Sequence, residues 1–251
     1  MQVLITGGTG KIGRVLAIGF AKAGWEVILT SRSQERADDL ISELGAVSRQ
    51  KHHGVAFEFV SNSPTVDLVN LLRERELHPC CLINNVRSLD NLKLGLGGRP
   101  SLANWMQEFY LSAVVAYELI MNLAAEEPSV LENVINISSI YGMVAPNQRL
   151  YMDPETESPI HYGVCKAAMG HLTKELAVRL APRRIRVNTI SYGGVEGRVN
   201  IDFLERYAAL CPQGRMLTAA DIAGPALFLA GADASGMTGH NLVVDGGWSV
   251  W

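Results

Sequence analysis

Only four cysteines occur in the 251 residues, Cys80, Cys81, Cys165 and Cys211, two of them adjacent and none in a C-x-x-C pair. That supports neither a disulfide framework nor a zinc site, and it fits a reducing compartment. An excess of one charge is lacking too: 22 Lys and Arg stand against 25 Asp and Glu, a formal charge of -3. Such a balance leaves no electrostatic footprint for nucleic acid or an anionic membrane. No apolar run approaches the roughly 20 residues of a membrane span. The longest, 111–125, is interrupted by Glu118 and Asn122. The opening Met1-Gln2-Val3-Leu4-Ile5-Thr6 has no basic leader, so a cytoplasmic protein is expected. His52-His53 lacks partners at metal-ligand spacing, and no metal is expected.

What is present is a composition 48% hydrophobic and 19% charged, with 24 glycines. It excludes a disordered or fibrous chain. Short β-branched runs alternate with helical patterns. Strands are expected at 3–6, 27–30, 55–60, 80–84, 134–137, 186–190 and 241–244, and helices at 12–23, 34–44, 64–77, 102–125, 159–180 and 219–230. Seven strands joined by crossover-length helices imply right-handed βαβ units. The expected fold is α/β: a single doubly wound Rossmann domain over residues 1–251 with a seven-stranded, mainly parallel sheet. Loops at 85–100, 139–159 and 195–214 are expected to shape a ligand site, because such sheets bind ligands at the carboxyl ends of their strands.

The first of those ends carries Thr6-Gly7-Gly8-Thr9-Gly10-Lys11-Ile12-Gly13 between a strand and a helix. Glycines at 7, 10 and 13 allow a tight turn and close approach of the backbone to a pyrophosphate, which the helix N-terminus then attracts. An NAD-selective site would place a carboxylate after the second strand. Here Thr30-Ser31-Arg32-Ser33 has none, whereas Arg32 can pair with a 2′-phosphate and Lys11 can add a second charge. NADP is therefore expected, with NAD as the alternative.

Tyr162-Gly163-Val164-Cys165-Lys166 places a phenol and an ammonium on one helix face. A phenol needs an adjacent cation to exchange a proton near neutrality. The strand end Asn136-Ile137-Ser138-Ser139 supplies a hydroxyl able to hold a substrate carbonyl.

The glycine loop, Asn84-Asn85, Ile137-Ser138-Ser139, Tyr162…Lys166, Arg186-Val187-Asn188 and the closing Val244-Asp245-Gly246-Gly247 occur in the order of the short-chain dehydrogenases/reductases. The chain resembles that family over essentially its whole length. The resemblance implies that Tyr162 is the acid/base, that Ser139 positions the carbonyl and that Lys166 binds the nicotinamide ribose. It also implies that Asn85 lies beside the adenosine and Val195 near the nicotinamide. Departures from the family pattern are Gly10-Lys11, transposed in the glycine loop, and Arg87, where a glycine is usual. Further departures are Ser112, in the register of the helical tetrad asparagine, Tyr192-Gly193, and a longer span from Ser139 to Tyr162.

Within that longer span Arg149, Tyr151 and Asp153 are candidate contacts to a polyhydroxylated substrate, and the segment resembles reductases linked to surface-polysaccharide or flagellin glycan modification. The cofactor contacts expected are Gly7, Thr9, Gly10, Lys11, Ile12, Gly13, Ser31, Arg32, Asn85, Tyr162, Lys166 and Val195. The expected activity is NADP(H)-dependent interconversion of a carbonyl and a secondary alcohol. The alternatives are a 3-oxoacyl-carrier-protein reductase and a non-catalytic NADP-binding protein. The family also implies a homodimer or homotetramer formed through the helices 102–125 and 160–180.

Overall fold

The computed structural model describes residues 1–60 and 64–251. Its strands are β1 (Gln2–Ile5), β2 (Glu26–Ser31), β3 (His53–Ala56), β4 (Cys81–Asn84), β5 (Asn133–Ser139), β6 (Arg186–Tyr192) and β7 (Asn241–Val244). They form one seven-stranded sheet in the order β3-β2-β1-β4-β5-β6-β7. Every pairing is parallel. The helices are α1 (Lys11–Lys22), α2 (Gln34–Val47), α3 (Thr65–Glu74), α4 (Leu102–Phe109), α5 (Val115–Ala124), α6 (Pro154–Glu157), α7 (Ile160–Leu180), α8 (Ile201–Leu210) and α9 (Ala220–Ala230). Strand order reverses between β1 and β4, and the crevice at their carboxyl ends is where such a sheet receives a ligand.

Both faces of the sheet are covered, which is why its strands are continuously apolar rather than alternating. Along β1, Val3 and Ile5 face one core with Leu16, Phe20 and Leu229, while Leu4 faces the other with Leu68, Leu119 and Leu176. A third, smaller core lies beyond the strand ends, where Ile140, Leu150, Tyr207, Cys211, Met216 and Trp248 pack together. Its centre is the stack of Tyr207 on Trp248, with ring centroids 4.3 Å apart. The apolar run Val115, Ala116, Leu119 and Ile120 is buried within the subunit.

The expected elements differ most from the structure in four places. α2 continues through Gly45 to Val47, because Gly45 is not in αL and Ser48 ends the helix instead. β3 lies at 53–56 rather than 55–60 because its ladder runs from Ile28↔His53 to Ser31↔Ala56 and ends where β2 ends. Phe57 to Val60 then leave the sheet for the cleft, and the three residues after them lie outside the described residues. The helix expected at 102–125 is continuous but carries a π-turn at Tyr110–Val114 between α4 and α5. The segment 195–214, expected as a loop, contains α8, whose start is signalled by Asn200: its side-chain oxygen accepts from the Phe203 amide at 2.9 Å.

One buried histidine ties β3 to its neighbour. His52 is 7% exposed, and its Nδ1 accepts the Val27 amide proton at 3.2 Å, which requires a neutral ring. Burial holds its pKa below the ordinary value, outweighing the opposing pull of Glu26. The unfolded chain therefore binds the extra proton more readily, and stability falls as pH drops below about 6.5. A thermal-unfolding series from pH 8 to 5 should show a decline in Tm that His52→Gln, whose side-chain oxygen can still accept the Val27 proton, makes shallower.

Candidate active site

A cleft of about 1310 Å³ opens at the carboxyl ends of β1, β2, β4, β5 and β6. Gly7, Thr9, Gly10, Lys11, Ile12, Ser31, Arg32, Asn85, Ser139, Tyr162 and Val195 all line it. Gly13 and Lys166 stand just behind the wall. A β-carbon on Gly13 would lie 2.3 Å from the Gly7 carbonyl oxygen, and Gly7 itself has φ +62. These two positions let the chain reverse directly into α1. Gly10 precedes α1 with no side-chain cap, so the first amides of that helix are left to an incoming anion. Asn85 fixes the turn from the β4 side, its Nδ2 donating to the carbonyls of Thr6 at 3.0 Å and Gly7 at 3.2 Å. Uncapped and narrow enough to exclude side chains, this cradle fits a pyrophosphate.

The end of β2 supplies the other half of a nucleotide site. Ser31 and Thr9 share a hydrogen bond of 3.0 Å, and Ser33 caps α2 by accepting from the Arg36 amide. Arg32 projects into the cleft here. Lys11 does not join it: its ammonium donates to the Val195 carbonyl at 3.0 Å on the opposite side. The second cation near Arg32 is Arg36, whose Nη2 donates to the Thr9 carbonyl at 3.3 Å. The sequence alone does not single out Arg36. It stands in the first turn of α2, just past the Ser33 cap.

At the far end of the cleft, Tyr162 lies on the first turn of α7. Lys166, 5% exposed, sends its ammonium to the Ile137 carbonyl at 2.9 Å and lies 5.9 Å from the Tyr162 ring centre. Burial lowers its pKa, opposed by the phenol of Tyr162 and the carboxyl of Glu108. The two adjacent serines differ in role. Ser138 donates to the Lys166 carbonyl at 3.1 Å, while Ser139 accepts from the Tyr141 amide at 3.2 Å and retains its own hydroxyl proton for another acceptor. Arg87 stacks on Tyr162, with its guanidinium carbon 4.7 Å from the ring centre.

Of the loop residues expected as substrate contacts, only Tyr151 reaches the cleft, where its hydroxyl meets that of Tyr141 at 3.0 Å. Arg149 and Asp153 are solvent-facing. The first lies in a turn capped by Asn147, and the second accepts from Thr156 at the start of α6. The expectation for these two is corrected. Glu108, Tyr141, Phe203 and Tyr207 escape a reading of the sequence because nothing in their spacing points to a site. Among the described residues no cluster of His, Cys, Asp or Glu could hold a metal ion, and no helix is long and apolar enough to cross a membrane.

Fold and cleft together define a dinucleotide-binding oxidoreductase. A family model described as enoyl-(acyl carrier protein) reductase matches residues 9–249, and the chain belongs to the short-chain dehydrogenase/reductase family. It is 42% identical over 119 residues to the post-translational flagellin modification protein A of Campylobacter coli, a match spanning 47% of this chain and 46% of that protein. A short-chain dehydrogenase of Leptospira borgpetersenii with bound NAD+ superposes with a TM-score of 0.83 at 26% identity, covering 99% of this chain and 92% of that one. The RhlG/NADP active-site complex of Pseudomonas aeruginosa gives a TM-score of 0.81 at 26% identity, covering 98% and 95%. A nicotinamide cofactor is therefore supported, and the residues described fit one.

The glycine turn provides a direct test. Gly13→Ala should lower Tm by several degrees, the scale expected from roughly 1–3 kcal/mol of overpacking. It should also weaken nicotinamide-nucleotide binding, read by calorimetry, because the Gly7 carbonyl must move away from the new methyl group.

Proposed function

We propose that the protein is an NADP(H)-dependent oxidoreductase interconverting a carbonyl and a secondary alcohol on a polyhydroxylated, sugar-like compound, with Ser139, Tyr162 and Lys166 as catalytic residues. The observation that carries this reading is that Ser139 and Tyr162 line one end of the cleft, with the Lys166 ammonium behind Tyr162, and the glycine cradle lines the other. When bound, the nicotinamide cofactor exchanges hydride with the substrate carbon. Ser139 has the free hydroxyl proton to hold the carbonyl oxygen, and Tyr162 delivers a proton to the oxygen as it becomes alkoxide. Lys166 keeps a positive charge behind the phenol and is oriented by the Ile137 carbonyl.

Arg32 and Arg36 favour NADP over NAD, since two guanidinium groups stand at the end of β2 and the segment Thr30-Ser31-Arg32-Ser33 carries no carboxylate. Tyr141 and Tyr151 favour a polyhydroxylated substrate. Burial pushes both phenols up, so they remain hydrogen-bond donors at any physiological pH. The partial match to a flagellin-modification protein supports the same class. An acyl-carrier thioester is the second reading, favoured by the printed description of the matching family model. Exposed Leu102, Met106 and Phe109 on α4, with Ile160 and Val164 on α7, support a homo-oligomer built on these helices.

Titration by Trp-to-nicotinamide energy transfer should give tighter binding of NADPH than of NADH. Arg32→Ala and Arg36→Ala should each weaken NADPH by roughly 10–100-fold, the range for a charged hydrogen bond, while leaving NADH nearly unchanged. Equal losses for both nucleotides would remove the NADP assignment. Against a panel of keto-sugars and 3-oxoacyl thioesters, Tyr162→Phe should cost at least about 100-fold in kcat while retaining NADPH binding. An unaffected kcat would remove Tyr162 as the acid.

A further inference from the structure

Among the described residues five cations line the cleft, Lys11, Arg32, Arg36, Arg87 and Arg198, against two carboxylates, Glu58 and Asp90. The chain as a whole carries a formal charge of -3, so the positive excess belongs to the cleft. Most of these groups stand away from Tyr162. Arg32 and Arg36 are at the end of β2, and Lys11 donates to the Val195 carbonyl at 3.0 Å with Arg198 facing it. Both carboxylates lie toward the nucleotide end as well: Glu58 follows β3, and Asp90 faces Arg32 and pairs with Lys93 at 2.6 Å. Arg87 is the wall cation at the other end, its guanidinium carbon 4.7 Å from the centre of the Tyr162 ring.

That guanidinium is held in place with its hydrogen-bonding capacity unspent. Stacking on a phenol ring fixes the direction of an otherwise flexible side chain and leaves its in-plane N–H groups for another partner. Among the described residues no carboxylate forms an ion pair with Arg87. The Glu108 carboxyl faces it from inside the wall, 1% exposed, while Arg87 itself is open to the cleft. Paired N–H groups of a guanidinium match two oxygens of a carboxylate or a phosphate. The hydroxyls of Tyr141 and Tyr151, which meet at 3.0 Å, face the same phenol and offer partners for an uncharged polyol. We propose that Arg87 sets substrate specificity by pairing with an anionic group, a carboxylate or a phosphate, so that the compound turned over is an acidic sugar rather than a neutral one. Its carbonyl lies at Ser139 and Tyr162, its hydroxyls toward Tyr141 and Tyr151, and its charge at Arg87. The glycine usual at this position in the family has no side chain to make that last contact.

This role for Arg87 rests on the reading of the substrate as a sugar-like compound, but binding tests it without turnover. The full-length protein saturated with NADPH is titrated by calorimetry with gluconate, glucose 6-phosphate and the neutral polyol glucitol. At least one of the two anions should bind about 10–100-fold more tightly than glucitol, the range of a charged hydrogen bond, and added salt should narrow the gap. Preference for gluconate identifies a carboxylate as the recognised group, and preference for glucose 6-phosphate a phosphate. Arg87→Leu should bring the preferred anion down to the level of glucitol, whereas Arg87→Lys should keep part of the preference through its charge. In arginine side-chain ¹⁵N spectra, the signal lost in Arg87→Leu should move with the preferred anion and stay in place with glucitol. Equal binding of the anions and glucitol, or a preference that survives Arg87→Leu, overturns the proposal. An equally large loss of NADPH affinity in that variant overturns it too, since Arg87 would then serve the cofactor. If neither 5-ketogluconate nor fructose 6-phosphate is reduced by the unmodified protein, the proposed function loses support, while the binding results still decide the role of Arg87.

Discussion

The active end of the cleft depends on one buried cation. An ammonium at 5% exposure is tolerated only where fixed dipoles replace water, and for Lys166 the Ile137 carbonyl at the end of β5 supplies one of them. That bond fixes the roll of α7 on the sheet, and the roll decides where Tyr162 projects. The neighbouring Ser138 reinforces the docking by donating to the Lys166 carbonyl, which leaves Ser139 to face the cleft. Further back, Asn84, Asn136, Thr173 and Thr189 form a buried chain of hydrogen bonds of 2.7–2.8 Å linking β4, β5, α7 and β6. These polar groups have few satisfactory arrangements in a dry interior, so they specify the register of helix on sheet more sharply than apolar contacts do.

The nucleotide end works on a different principle. Among the described residues it holds no buried charge; the groups it offers are backbone amides, presented by a turn that only glycine can make at Gly7 and Gly13. In the proposed reading the choice between NADP and NAD falls to exposed side chains on α2 and just before it, Arg36 and Arg32. Lys11 stitches the loop after β6 to the start of α1 through the Val195 carbonyl. Lys11 thus joins two parts of the cleft wall rather than standing beside Arg32.

Fold class and strand count were legible because a sheet buried on both faces writes itself as short apolar runs between amphipathic helices. The glycine loop and the Tyr162–Lys166 pair were legible from residue types at a strand end and on one helix turn, whereas the choice of Ser139 over Ser138 came from the family resemblance. Boundaries that depend on a partner strand were not: β3 ends at Ala56 because β2 ends at Ser31, and no local signal in 55–60 says so. Arg149 and Asp153 looked like substrate groups by composition, yet local capping turned them outward. Glu108 was illegible for the opposite reason. A glutamate in a helix reads as solvent-facing until α7 is seen to cover it.

Two of the departures from the family pattern, Arg87 and Ser112, belong to one electrostatic group around Tyr162 and Glu108. Arg87 adds a cation against Tyr162, beside the ammonium already present at Lys166. Two cations about one phenol, partly out of water, repel each other unless negative charge density is near. The buried carboxyl of Glu108 faces both, and Ser112 on the π-turn donates to its Oε1 at 3.2 Å. An asparagine at 112 would offer an amide in place of the compact hydroxyl, and the turn before it would have less reason to bury an acid. Arginine at 87 and serine at 112 thus both face the buried carboxyl of Glu108, beside the proposed Ser139–Tyr162–Lys166 group.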